Sequence, residues 1–365
     1  MSTTGSSFTT RTRSQHLASR PIRVGLIGAG MIGQLRARAL ALVPGLRLVA
    51  LAEPREELAR KVAGPDGAVR IHADGEALAA DSDVDAVVLA TPPNSHEALG
   101  LACLAEGKHV LCEKPLATTP EACASLVRAA EAAGLCLATG FNLRYTRAAM
   151  LARRLLDDGA IGELDHIRAF HGHPGGAEFG HSWVTDASIT GGGALMDNGI
   201  HLIDLTRWFL GEVADVRGYA TNHVWHKGRC EDNGFLLLRN PAGRVATLQA
   251  SWTEWRGYGY KLEIYGNDGF LRFGYPPLHL IHGRRRPGGG VTVRRHLFPS
   301  YQLQERARGW QWGIIETLAR DLDGWGRAIA GGTPPPIDGR DGWEAVRIAH
   351  SSERQEAEPS PLLRS

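Results

Sequence analysis

Ile22-Arg23-Val24-Gly25-Leu26-Ile27-Gly28-Ala29-Gly30-Met31-Ile32-Gly33 sets the frame for the N-terminal half of the chain. Six residues of mostly apolar, strand-like sequence run into G-x-G-x-x-G at Gly28, Gly30 and Gly33, and a helical pattern follows over residues 31–43 until Pro44 and Gly45 punctuate it. The glycine pattern alone is a weak signal. Between a strand and a helix, however, each glycine has a reason: a tight turn, close backbone approach to a pyrophosphate, and tight packing of helix on sheet. The head of that helix, where Met31 and Ile32 stand, offers unpaired N–H groups and a partial positive charge to phosphates. A second apolar run over residues 46–52 ends at Glu53, twenty positions past Gly33, where a carboxylate can accept hydrogen bonds from both ribose hydroxyls. Strand, turn, helix, strand and acid in this order predict a dinucleotide site.

The same alternation continues outward. A helix is expected at 55–63, a weak strand at 69–72, and a strand at 85–90 that ends in Thr91-Pro92-Pro93-Asn94. Ser95 can cap the next helix, which runs to about 106 before Gly107 stops it. A strand follows at 109–112, then a helix opened by Thr119-Pro120 and ended by Gly134, then a strand at 135–140. Strands alternating with helices on short connections imply βαβ units and a parallel, doubly wound α/β sheet covered on both faces. Ligands of such folds bind at the carboxyl edge of the strands, where Thr91, Pro92, Asn94 and His96 fall. The prolines stiffen that loop, and Thr91 and Asn94 can hydrogen-bond a ribose or an amide.

Beyond residue 141 the pattern changes. A helix at 146–158 and a strand at 164–171 precede a Gly- and His-rich loop to 193, and an apolar helix then runs to 210. Strand-like runs follow at 213–220, 235–239, 245–252, 262–265 and 270–273. Asn240-Pro241-Ala242-Gly243 and Gly266-Asn267-Asp268-Gly269 between them suit hairpins. This predicts an α+β domain with a large, mostly antiparallel open sheet and helices on one side. Residues 283–290, with three consecutive arginines, read as an exposed loop, and helices are expected at 311–330 and 341–355. The expected organisation is a tail (1–20), a dinucleotide-binding domain (21–141), a substrate-binding and oligomerisation domain (142–355) and a second tail (356–365). The first tail reads as a disordered extension, because its Ser, Thr and Arg form no apolar face.

Composition narrows the function classes. Of 365 residues, 41 are Lys or Arg and 39 are Asp or Glu, so the formal charge of +2 gives no electrostatic reason for a nucleic-acid or membrane partner. Five cysteines form neither a disulfide framework nor a metal-ligand spacing, which fits a reducing cytoplasm. No signal-peptide core and no apolar run of bilayer length is present.

Two further stretches carry chemistry. Cys112-Glu113-Lys114-Pro115 places a lysine just beyond a parallel strand, ahead of a rigid proline. Gly191-Gly192-Gly193-Ala194-Leu195-Met196-Asp197-Asn198-Gly199-Ile200-His201-Leu202-Ile203-Asp204 reads as the head of an apolar helix. On it Asp197 and His201 share a face at i, i+4, with Asp204 a turn later. Buried polar groups need partners or a job. The plainer alternative is a histidine satisfied by either aspartate within its own helix.

The Gly28–Gly33 turn, the Thr91–His96 segment, Glu113-Lys114-Pro115 and the Gly191–Asp204 stretch together resemble the Gfo/Idh/MocA oxidoreductases, over residues 22–347. These are the relatives of glucose-fructose oxidoreductase and inositol dehydrogenase. The resemblance implies a nicotinamide cofactor, a sugar or cyclitol substrate, and a homodimer or homotetramer that uses the open sheet. It places the family's catalytic lysine on Lys114, its helix aspartate on Asp197 and its acid–base histidine on His201. The expected cofactor set is Gly28, Gly30, Met31, Ile32, Gly33, Glu53, Thr91, Pro92, Asn94, His96, Glu113 and Lys114. NAD is expected over NADP, since Glu53 would repel a 2′-phosphate and Arg55 would only partly offset that. A neutral His201 suits removal of a hydroxyl proton, Lys114 can stabilise the oxygen, and Asp197 can orient the imidazole or bind a neighbouring hydroxyl.

Three other functions are compatible with parts of this sequence: an NAD-dependent glycosidase acting through transient ring oxidation, a dehydrogenase of amino acids or dihydrodiols, and a non-catalytic NAD-binding regulator. His171, His173 and His181 are too irregularly spaced to predict a metal, so none is expected. Trp252 reads as core, whereas Trp255 and Arg256 beyond it are candidates to face a sugar.

Overall fold

Strand β1 (Ile22–Ile27) is almost wholly buried, as an apolar run must be when helices cover both faces of its sheet. A computed structural model of the chain describes residues 20–175 and 179–351, so the tail expected at 356–365 and all but Arg20 of the tail expected at 1–20 lie outside the described residues. Around β1 stand β2 (Leu46–Ala52), β3 (Arg70–His72), β4 (Ala86–Leu89), β5 (His109–Cys112) and β6 (Leu137–Thr139) in the order β3-β2-β1-β4-β5-β6. All five pairings are parallel. The order reverses at β1 and β4, which puts the loops after those two strands beside each other at the ligand-binding edge.

Helices α1 (Met31–Leu40), α2 (Glu56–Ala63), α4 (His96–Ala105) and α5 (Pro120–Ala133) lie where periodicity predicts them. The threonine hydroxyl of Thr119 accepts from the Ala122 N–H at 3.2 Å, and Gly134 ends α5 in the left-handed region at φ 65°. Ser95 does not cap α4: its hydroxyl donates to Thr91 Oγ1 at 2.7 Å and lies 2.8 Å from the Pro92 carbonyl oxygen. The five-residue α3 (Gly75–Ala79) was not expected, being too short for a periodic signal; the Asp74 carboxylate caps it on the Ala77 N–H.

The later chain forms α6 (Arg147–Asp157), β7 (Leu164–Gly172), the short α7 (Ala187–Thr190), a π-helical turn over Leu195–Gly199 and α8 (Ile200–Leu210). Then come β8 (Asp215–Thr221), β9 (Asn233–Arg239), β10 (Val245–Ser251), β11 (Gly259–Gly266), β12 (Gly269–Tyr275), β13 (His279–Arg285) and β14 (Val291–Leu297). The sheet order is β14-β13-β12-β11-β7-β10-β9-β8, antiparallel except between β7 and β10. On β9, Gly234, Leu236 and Leu238 are buried while Phe235, Leu237 and Arg239 are exposed, the alternation of a sheet covered on one face.

Two expectations are corrected. Residues 283–290 are not one loop, because Arg284 and Arg285 end β13 and pair with Thr292 and Val291 of β14. His279-Leu280-Ile281-His282-Gly283-Arg284-Arg285 and the largely exposed β14 show no regular apolar alternation, so both strands escaped detection, as did α9 (Pro299–Arg308). Nor is 142–355 one domain. The chain splits into a first compact unit that runs to Thr146 and takes in Pro299–Glu344, and a second that comprises Arg147–Phe298 and the chain from Ala345. The reason is α10 (Gln311–Gly331): its Ile315, Leu318, Leu322, Trp325 and Ile329 form one apolar stripe in the same core as Leu35, Ala39 and Leu40 of α1. The last helix, α11 (Gly339–His350), closes the described chain.

Candidate active site

In the first unit, Gly28 turns the chain out of β1 at φ +95°, and a Cβ there would stand 2.6 Å from the Ala90 carbonyl oxygen. A Cβ on Gly33 would collide with the Gly28 carbonyl oxygen, whereas one on Gly30 would meet nothing within 4 Å. Two glycines therefore fold the turn tightly and the third leaves its outer side open, which is the cradle a pyrophosphate needs. Met31 is exposed at the helix head and Ile32 is half-buried.

Glu53 follows β2 with its side chain almost fully buried. One carboxylate oxygen accepts from the Ala29 N–H in the glycine turn at 2.8 Å. The other accepts from the Arg55 Nε at 2.7 Å and the Arg55 backbone N–H at 3.1 Å. Burial opposes ionisation of Glu53, but the Arg55 guanidinium and these N–H groups outweigh it and hold the carboxyl below its ordinary range. The acid beside the turn is thus ionised, and the open turn, the helix head and the carboxylate fit a dinucleotide.

The loop after β4 leaves Pro92 and Asn94 exposed and Thr91 half-buried. His96 is different. It is fully buried, with Nδ1 2.9 Å from the Pro115 carbonyl oxygen and Nε2 2.9 Å from the Thr91 carbonyl oxygen. Its ring ties the Thr91 loop to the Lys114 loop. The Glu113 carboxylate likewise turns inward and meets the buried Arg36 guanidinium at 2.6 Å. The Glu113 N–H donates to the Leu89 carbonyl oxygen at 2.9 Å, fixing the end of β5 to β4. Lys114 comes next and is half-buried.

In the second unit, Asp197 lies in the π-helical turn and His201 in the first turn of α8, so the single helix expected there has two geometries. A buried glutamate, Glu231, caps this segment: its carboxylate accepts from the N–H of Gly193 at 2.8 Å and of Leu195 at 2.7 Å. A side chain at Gly193 would run into the Glu231 backbone. The Asn198 side-chain amide donates to the His171 carbonyl oxygen at 2.7 Å, and the His171 ring lies 2.9 Å from the Asn198 carbonyl oxygen. These bonds lock the turn to β7. From Leu195 to Arg207, Asp197 and His201 are half-buried and every other residue is buried, Asp204 included. The two side chains share the one open face of the segment.

Asp197 is held from a distance. Its Oδ2 accepts from the Trp252 indole N–H at 3.1 Å and lies 3.3 Å from His173 Nε2. Trp252 is fully buried, as expected of a core residue, with its ring against the edge of Phe179 at 4.9 Å between centroids. Sequence reasoning did not find Glu231, Asn198 or the Trp252–Asp197 bond, because 27 to 55 positions separate the partners, Asn198 from His171 at one end and Asp197 from Trp252 at the other, and no spacing rule reaches that far. Trp255 and Arg256 are exposed past β10, and the Arg256 guanidinium pairs with Glu254 at 2.7 Å. Among the described residues no three His, Cys, Asp or Glu side chains are grouped to hold a metal.

Comparison with known proteins agrees with this construction. Residues 22–141 match the oxidoreductase family with an NAD-binding Rossmann fold, and residues 149–272 match the GFO/IDH/MocA C-terminal domain. The chain is similar to inositol 2-dehydrogenase 2 of Saccharopolyspora erythraea, 30% identical over 90% of this chain and 91% of that protein. It is 30% identical to levoglucosan dehydrogenase of Pseudarthrobacter phenanthrenivorans over 70% of this chain and 74% of that one. A structure of levoglucosan dehydrogenase in complex with NADH superposes with a TM-score of 0.81 and 26% identity, covering 92% of this chain and 96% of that chain. Matched along both units and at the nucleotide turn, this chain belongs to the GFO/IDH/MocA family of NAD-binding oxidoreductases.

Proposed function

We propose that this protein oxidises a secondary alcohol of a cyclitol, sugar or sugar derivative, or reduces the corresponding ketone, with Lys114, Asp197 and His201 as its working residues. One observation carries the reading: Asp197 and His201 are the only residues between Leu195 and Arg207 that reach the surface of an otherwise buried helical segment. Bound nicotinamide supplies the hydride acceptor. His201 takes the hydroxyl proton in oxidation and returns it in reduction. Lys114 stabilises negative charge on the carbinol oxygen and holds the substrate. Asp197, kept in place by the Trp252 indole, binds a neighbouring hydroxyl or orients the imidazole. The relatives named as inositol and levoglucosan dehydrogenases support a polyol substrate. The test is a screen of cyclitols, anhydrosugars and sugars for NADH formation; a protein that reduces NAD with none of them and reduces no ketose or inosose contradicts the proposal.

NAD is the preferred cofactor in this reading. The ionised Glu53 would face a 2′-phosphate, and Arg55 is already engaged by that same carboxylate. The expected kcat/KM ratio favours NAD by at least about tenfold, the size of a modest charge repulsion, and an NADP preference would show that Arg55 governs the pocket. The enzyme is cytoplasmic and a homodimer or homotetramer, with Tyr219, Phe235 and Leu237 exposed at the β8–β9 end of the sheet supporting self-association. Sedimentation that finds only a 39.4 kDa monomer at micromolar concentration refutes the oligomer.

A further inference from the structure

Arg36 stands in the second turn of α1 and is wholly buried. Its Nε donates to Glu113 at 2.6 Å and its Nη1 donates to Asp321 of α10 at 2.7 Å, with both acids also buried. The second Glu113 oxygen lies 3.4 Å from the backbone N–H of Lys114. Room for the pair comes from Gly140, where a Cβ would stand 2.7 Å from Arg36 Nη2 and 3.0 Å from Glu113 Oε2. On the other side of the lysine, His96 holds the Pro115 carbonyl oxygen.

A buried ion pair is a poor source of net stability, since apolar side chains of equal volume hold elements together as well. What it does supply is direction: the planar guanidinium is a fork whose Nε reaches Glu113 and whose Nη1 reaches Asp321, so one rigid group sets the angle between two carboxylates. The Glu113 carboxylate belongs to the residue just before Lys114, and the fork belongs to the helix that begins at the glycine turn. We propose that Arg36 is a positioning residue for Lys114, which it registers against the dinucleotide-binding helix through Glu113 while Asp321 anchors it from behind. The catalytic part of this rests on the reading of Lys114 as the charge stabiliser.

The test uses the full-length protein with Glu113→Gln, Arg36→Met and Arg36→Lys. Acetic anhydride labels the Lys114 amine, and mass spectrometry reads its rate relative to exposed Lys61 in the same sample. In Glu113→Gln and Arg36→Met, Lys114 is expected to label several-fold faster, while the NADH dissociation constant measured by fluorescence stays within a few-fold of wild type. With the best polyol of the screen, kcat falls about tenfold and KM moves little, as expected when a catalytic group is displaced by a fraction of an ångström. Arg36→Lys, which keeps the charge but not the fork, should fall between wild type and Arg36→Met in labelling. If Arg36→Met does not fold, the near-isosteric Glu113→Gln and Arg36→Lys carry the test. An unchanged Lys114:Lys61 ratio in folded Glu113→Gln overturns the proposal. Full turnover in Lys114→Ala would instead overturn the reading of Lys114 and leave the labelling result standing, so the two failures are distinguishable.

Discussion

Lys114 and Asp197 are both half-buried polar residues on loops or turns next to a sheet, yet they are held by different means. The lysine loop is pinned by the Arg36–Glu113–Asp321 charge network before it and by a buried imidazole between two carbonyl oxygens after it. The aspartate is pinned by ring donors, an indole N–H and a histidine, inside an aromatic wall, while its own backbone is fixed by a glutamate cap and an asparagine amide. The difference teaches where each should be fragile. Charge networks fail through pH and neutralisation, and aromatic walls fail through shape and lost packing.

The largest expected effect tests the roles themselves. Lys114→Ala and His201→Ala should each lower turnover about a hundredfold or more, the usual cost of a missing charge stabiliser or general base. NADH affinity measured by fluorescence should stay nearly intact, and near-normal turnover in both variants across the pH range would break the assignment. The glycine turn comes next. Gly33→Ala drives a methyl into the Gly28 carbonyl oxygen, so the turn must open. Overpacking of this kind costs about 1–3 kcal/mol, and NADH affinity should fall by about two- to tenfold if half of that cost appears on binding.

Trp252→Phe sharpens the contrast from the other side. It keeps an aromatic ring but removes the donor to Asp197, a bond to a charged group worth about 1.5–3 kcal/mol, and it also gives up part of the buried ring's packing. The expected outcome is roughly a tenfold loss in kcat with NADH affinity unchanged; a loss confined to NADH affinity would place Trp252 in a different role.

The smallest effect concerns pH. Burial pushes the Asp321 carboxyl up to about 6, against the pull of Arg36. A carboxyl raised above its unfolded value of about 4 stabilises the fold fully below that value, and this contribution is lost as pH rises through about 6. Asp321→Asn removes the dependence. The difference in Tm, wild type minus variant, should therefore shrink between pH 4 and 7, and a difference that grows over that range contradicts the sign. Asp85 runs the other way: burial opposes its ionisation, but Arg20 and Arg23 hold its carboxyl far below the ordinary range, so its contribution is lost only in strong acid.

Legibility in the sequence followed the range of the interaction. The order of elements in the parallel half was readable apart from α3, because signals such as Gly33, Thr119 and Gly134 act within a few positions of their own. Lys114, Asp197 and His201 stand out in the sequence by residue type and order as candidates. Their supports do not, since Glu231 caps a helix head 36 positions away and Trp252 reaches Asp197 across 55. The inward turn of His96, at the head of α4, and of Glu113, just past β5, is equally invisible in the sequence, because only their partners Thr91, Pro115 and Arg36 reveal it. The arginine-rich hairpin and the return of α10 to the first unit were hidden because solvent-facing strands and long-range helix packing leave no local period.

Hydride transfer from a carbinol carbon leaves an isotopic trace in the reduced cofactor. The most active polyol of the screen, deuterated at its carbinol carbons, is incubated with NAD and the wild-type protein, and the reduced cofactor is weighed by mass spectrometry. The account predicts one deuterium in each reduced cofactor formed, and almost no reduced cofactor with His201→Ala under the same conditions. Reduced cofactor that carries no deuterium, or the same yield from His201→Ala, would contradict it.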